Sequence, residues 1–140
     1  MMAQTIKNAL TDNPHVIFPY GKIERERLRS GLSRLDYNFP KELVDFWEEF
    51  GGGELFEVET FLYPLESNDD LMDDLLSTNE FCHQQGLDKR YIVFQKNAAQ
   101  LAVFDTDTNE VVLLSNGDFK VRKRFENFNH WFVHFWQAHQ

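Results

Sequence analysis

His130 and His134 stand four residues apart, the spacing at which a helix offers two imidazoles to one zinc ion. Between them lie Trp131, Phe132 and Val133, so no glutamate is placed to act as a base. Helical turning also sets both rings opposite an aromatic stripe, toward solvent. Asp105-Thr106-Asp107-Thr108-Asn109 opens like a calcium loop, which needs glycine at its sixth position and a bidentate glutamate at its twelfth. Glu110 and Asn116 occupy those positions, and a hairpin turn whose Asp and Asn side chains hold the backbone is the better account. Cys82-His83 sets a thiol beside an imidazole, but a lone cysteine is more often buried packing. With 23 carboxylates in 140 residues, some pair falls within catalytic distance by number alone. Such a pair is therefore no argument for glycosidase or nuclease chemistry. The chain has no phosphate-cradling Gly-x-Gly loop, Walker lysine or nucleophile elbow. No enzyme, cofactor or metal is expected.

Charge narrows the partners. From Glu42 to Asp88 there are fourteen acidic residues and no Lys or Arg; the remainder holds nine acids and all fourteen cations, net +5. The total of −9 is thus an acidic middle set between mildly basic flanks. An acidic middle repels phosphate and anionic lipid and favours a cationic protein. The basic run Lys120, Arg122, Lys123 and Arg124 is a weak footprint for nucleic acid on a chain of this charge. Its plainer role is at a strand end or in pairs with the acidic middle. Met1 to His15 holds no apolar run like a signal peptide, and nothing later spans a bilayer. Cys82 is the only cysteine, so a reducing, cytoplasmic setting is expected without an intrachain disulfide.

The elements that position these residues follow from periodicity. His15-Val16-Ile17-Phe18 suits a short edge segment, in an otherwise irregular stretch over 1–21 that packs on a single domain of residues 1–140. Ile23, Leu28, Leu32 and Leu35 predict a helix over 22–35, weakened by Gly31. Leu43, Phe46, Trp47 and Phe50 share one face of a second helix, begun at Phe39-Pro40 and stopped by Gly51-Gly52-Gly53. One or two strands occupy 54–65, and a short helix runs over 68–76, with an irregular or helical turn over 79–85. Tyr91–Phe94, Leu101–Phe104 and Val111–Leu114 are antiparallel strands joined by short turns. An aromatic helix runs over 125–137, with Phe125, Phe128, Trp131, Phe132, Phe135 and Trp136 on one arc.

Several pieces in this order carry a resemblance: Phe39-Pro40, Gly51-Gly52-Gly53-Glu54, Tyr91-Ile92-Val93-Phe94, Phe104-Asp105 and Phe125-Glu126-Asn127-Phe128. From Ile23 onward the chain resembles the SUKH superfamily of Smi/Knr-type domains. It departs at Asn97-Ala98-Ala99-Gln100, where relatives often carry glycines. The resemblance implies an α+β fold, a twisted and mostly antiparallel sheet covered by helices. It further implies a binding protein, most concretely a bacterial immunity protein that occludes a cognate toxin. A regulatory or scaffold module of the same superfamily is the alternative. Combined with the charge, the expected partner is a basic toxin domain, a nuclease for example. Glu48, Glu49, Glu54, Glu57, Glu59, Asp69, Asp70, Asp73 and Asp74 are the candidates for the contact face.

Overall fold

Pro40 holds φ −62° and ψ 144°, and its carbonyl accepts from the amides of Leu43 and Val44, so the chain enters its second helix already turned. The protein is represented by a computed structural model that describes residues 16–17, 22–35, 39–56, 58–65 and 74–139. Helix α1 spans Arg25–Leu32 and runs into a 3-10 turn at Ser33–Leu35, and α2 spans Lys41–Phe50. Helix α3 covers Leu75–Gln84 and α4 covers Phe128–Ala138. The strands are β1 Val16–Ile17, β2 Gly53–Leu55, β3 Glu59–Phe61, β4 Tyr91–Lys96, β5 Gln100–Asp105, β6 Val111–Ser115 and β7 Val121–Phe125. They form one seven-stranded sheet in chain order, each antiparallel to the next. This is the α+β architecture expected from the residues, and the segment at Val16–Ile17 does take an edge of the sheet.

Burial runs unbroken through Tyr91–Gln95 and Leu101–Asp105. Alternate residues of a strand face opposite sides, so the central strands are covered on both faces. Aromatic rings fill much of this interior. Phe46 of α2 lies 4.6 Å from Phe61 of β3, and 6.0 and 5.8 Å from Phe128 and Phe132 of α4. Trp131 meets Phe94 edge-on at 5.1 Å. The four residues assigned to the buried face of α2, Leu43, Phe46, Trp47 and Phe50, are all in the core.

The three glycines after α2 do different work. Gly51 has φ 69° and ψ −139°, a glycine-only region distinct from the left-handed cap that commonly ends a helix. Gly52 has no room for a side chain: a Cβ would stand 2.6 Å from the Tyr63 amide nitrogen and 2.8 Å from the Phe61 carbonyl oxygen. Backbone, unlike a side-chain tip, cannot step aside. Gly52→Ala is therefore expected to destabilise by about 2–3 kcal/mol through overpacking. A midpoint of urea unfolding within experimental error of wild type would refute this. Gly31 also has a packing reason, because a Cβ there would run into the Leu65 side chain.

Two elements differ from expectation. The helix placed over 68–76 is observed as α3 from Leu75, with Asp74 as its N-cap accepting from the Ser77 amide at 2.9 Å. Residues 68–73 of that expectation lie outside the described residues. The basic run, expected at a strand end, supplies most of a whole strand, β7, exposed from Val121 through Arg124 and buried only at Phe125. Its composition hides it, since an edge strand tolerates cations and here uses them against further strand pairing. Phe125 consequently ends β7, and α4 begins at Phe128 with Asn127 capping the His130 amide at 2.9 Å.

Candidate interaction surface

The nine candidate carboxylates fall into three groups. Glu57, Asp69, Asp70 and Asp73 lie outside the described residues. Glu48, Glu49 and Glu54 reach solvent: Glu54 is exposed on β2, while the side chains of Glu48 and Glu49 are about a third exposed on α2. Glu59 and Asp74 do not belong to a surface, being only 6% and 5% exposed. Asp74 is committed to capping α3, as described. Glu59 accepts from Gln95 Nε2 at 2.8 Å and Asn97 Nδ2 at 2.6 Å, and its other oxygen lies 2.9 Å from His139 Nε2. His139 in turn stacks on Phe56 at 4.5 Å. The Glu59 carboxylate therefore ties β3, β4 and the end of α4 together, and three donors repay its loss of water.

Folding also moderates the charge segregation seen along the chain. Arg25 Nε donates to Glu48 Oε2 at 3.1 Å, Lys22 approaches Glu49 at 4.0 Å, and Lys41 meets Asp45 at 3.1 Å. The basic stretch around α1 thus sits against the acids of α2. These pairs are largely solvent-exposed and contribute under about 1 kcal/mol each.

Between α1 and α2 lies a groove of about 490 Å³. Its floor includes Leu32, Phe39 and Val44, and Arg25, Arg29, Lys41, Asp45 and Glu48 stand around it. Phe39 is held edge-on to Trp47 at 5.3 Å. The sequence did not single out this groove. Its one visible sign was Val44, an apolar residue beside the buried stripe of α2.

A second polar cluster was also missed. Asp105, fully buried at the end of β5, accepts from the Asp107 amide at 2.9 Å through Oδ1. Its Oδ2 stands 3.5 Å from Arg90 Nη2 and 3.5 Å from Arg124 Nη1 without a hydrogen bond to either. Arg90 Nη2 donates to Tyr91 Oη at 2.8 Å, and its guanidinium lies over the Tyr91 ring. Tyr91 Oη and then Asp105 hold the Arg90 guanidinium above its ordinary basic range; for Arg124 the Tyr91 hydroxyl is again the foremost cause. Both arginines stay charged and balance the buried carboxylate. The cluster binds the entry of β4 to β5 and β7. Arg124 pairs here with Asp105 and Glu110, not with the acidic middle.

The calcium-like stretch is a hairpin, closed by Asn109 N donating to Asp105 O at 2.8 Å with Asn109 at φ 63°. At the departure from the SUKH pattern, Asn97 Oδ1 accepts from the amides of Ala99 and Gln100 and makes the turn without glycine. His130 and His134 are both exposed, flanking the Phe125 ring at 5.9 and 5.1 Å. Cys82 is buried, and burial pushes its thiol pKa up, away from a reactive thiolate.

A seven-stranded antiparallel meander under a helical cover defines a small α+β sheet domain. Within that class, residues 24–134 match the family model described as the SMI1 / KNR4 family (SUKH-1), and the chain belongs to that family. No curated protein matches the chain. No helix among the described residues is long and apolar enough to cross a membrane.

Proposed function

We propose that this chain is a non-enzymatic binding protein that neutralises a cognate toxin by occluding it. The observation that carries this reading is family membership over residues 24–134, since immunity to secreted toxins is what the SUKH resemblance implies. The placement of the carboxylates supports it. The buried ones (Glu59, Asp74 and Asp105) hold strands, a helix cap and two arginines. Glu48 and Glu49, in weak exposed pairs with Arg25 and Lys22, and Glu54 reach solvent, and with Glu57, Asp69, Asp70 and Asp73 they make up the proposed face. A cationic toxin domain would be steered to this face and cut off from its anionic substrate.

The test is co-expression with the product of the adjacent gene, together with the association rate of the two proteins against salt. Reversing Glu48, Glu49 and Glu54 to Lys is expected to shift stability by under about 1 kcal/mol per site. The same variant should associate about tenfold more slowly at low salt, the difference closing as screening shortens below about 8 Å. Flat and superimposable salt profiles for both proteins would sink the steering mechanism. Failure of the wild-type protein to protect cells would sink immunity itself.

A further inference from the structure

We propose that the groove between α1 and α2 receives a segment of the partner protein in which a large apolar side chain stands next to a carboxylate. This deepens the binding reading above and rests on it. The chemistry of the groove selects that occupant. Leu32, Phe39 and Val44 present an apolar floor continuous with the core, and Phe39 and Val44 are only partly buried. An apolar side chain laid there removes both from water. Two of the surrounding cations are already answered, Arg25 by Glu48 and Lys41 by Asp45. Arg29 is different. It lines the same groove, is exposed, and forms no ion pair among the described residues.

An unanswered guanidinium beside an apolar floor is a specific combination. A carboxylate can take two of its parallel N–H groups, and the bond strengthens as the neighbouring apolar side chain excludes water. A volume of about 490 Å³ is within the range of ligand-binding clefts, roughly 300–1,000 Å³.

The probes are two capped dipeptides, acetyl-Phe-Glu-amide and acetyl-Phe-Gln-amide, titrated into the isotopically labelled full-length protein and followed by NMR. Trp47 offers a built-in reporter, because its indole N–H is fixed on the Leu62 carbonyl and its ring touches Phe39. The Glu peptide is expected to shift Leu32, Val44 and the Trp47 indole, and to bind about fivefold tighter than the Gln peptide. Arg29→Gln should abolish that preference and leave weak binding of both peptides. Equal affinity of the two peptides for the wild-type protein would overturn the proposal. So would shifts confined to residues outside α1 and α2, or no shift up to the solubility of the peptides. Toxin neutralisation with a failed titration would remove the groove and keep the binding function; a positive titration without neutralisation would do the reverse.

Discussion

Trp47→Ala is expected to lower unfolding free energy by about 3–5 kcal/mol, the range for deleting a large buried aromatic side chain. Trp47 is fully buried in the middle of α2. Its indole Nε1 donates to the Leu62 carbonyl at 3.2 Å, just beyond β3, and its ring carries Phe39 at 5.3 Å. Three losses coincide: a cavity opens, a buried carbonyl loses its donor, and Phe39 loses its support. Trp47→Phe separates them by keeping most of the volume and removing the hydrogen bond, with an expected loss of about 1–2 kcal/mol. Urea unfolding followed by circular dichroism is the measurement, with an unchanged slope showing that the transition stays comparable. A loss below about 1 kcal/mol for Trp47→Ala would be incompatible with a core position.

Asn79→Leu is expected to have a comparable effect for a different reason. Strand β3 is three residues long and pairs only with Gln95 and Lys96 of β4, which leaves the first half of that edge without a strand. Helix α3 fills it with side chains. Asn79 Oδ1 accepts from the Val93 amide at 2.7 Å, and Asn79 Nδ2 donates to the Val93 carbonyl at 2.9 Å. One turn later His83 Nε2 donates to the Tyr91 carbonyl at 2.9 Å, which requires that nitrogen to carry the proton. Asn79 and His83 thus do the work of the missing strand, residue for alternate residue.

Leucine matches asparagine in size but offers no polar atoms, so two buried backbone groups of Val93 lose their partners. Each unsatisfied group costs about 1–3 kcal/mol. Amide exchange gives the local signature, because the Val93 N–H should lose protection well beyond the global change in stability. His83→Ala removes one partly buried bond and should fall below Asn79→Leu. An Asn79→Leu protein with wild-type stability and a protected Val93 amide would show that β4 has another partner.

Most of the architecture was legible along the chain because local rules produce it. The stripe Leu43, Phe46, Trp47 and Phe50, the apolar runs of β4, β5 and β6, and the aromatic arc of α4 each bury what their period exposes to the core. Hairpin chemistry at Asp105–Asn109 was legible for the same reason. Strand β7 was not, because Val121-Arg122-Lys123-Arg124 gains its strand conformation from β6 and buries almost nothing of its own.

Composition alone shows the acidic middle, and local spacing shows the Phe-Pro entry to α2 and the triple-glycine exit, two of the pieces that carry the SUKH resemblance. What each charge does depends on the assembled fold. Glu59 and Asp74 read as surface acids, yet one meets donors 36, 38 and 80 residues away while the other caps the helix that follows it. Arg29 reads as one more cation of a solvated helix, yet its neighbours Arg25 and Lys41 are both paired with acids of α2 and it is left facing an apolar groove. Periodicity reports whether a residue is turned inward or outward on its own element. Which groups it meets there depends on contacts between distant segments, and those exist only once the sheet has assembled.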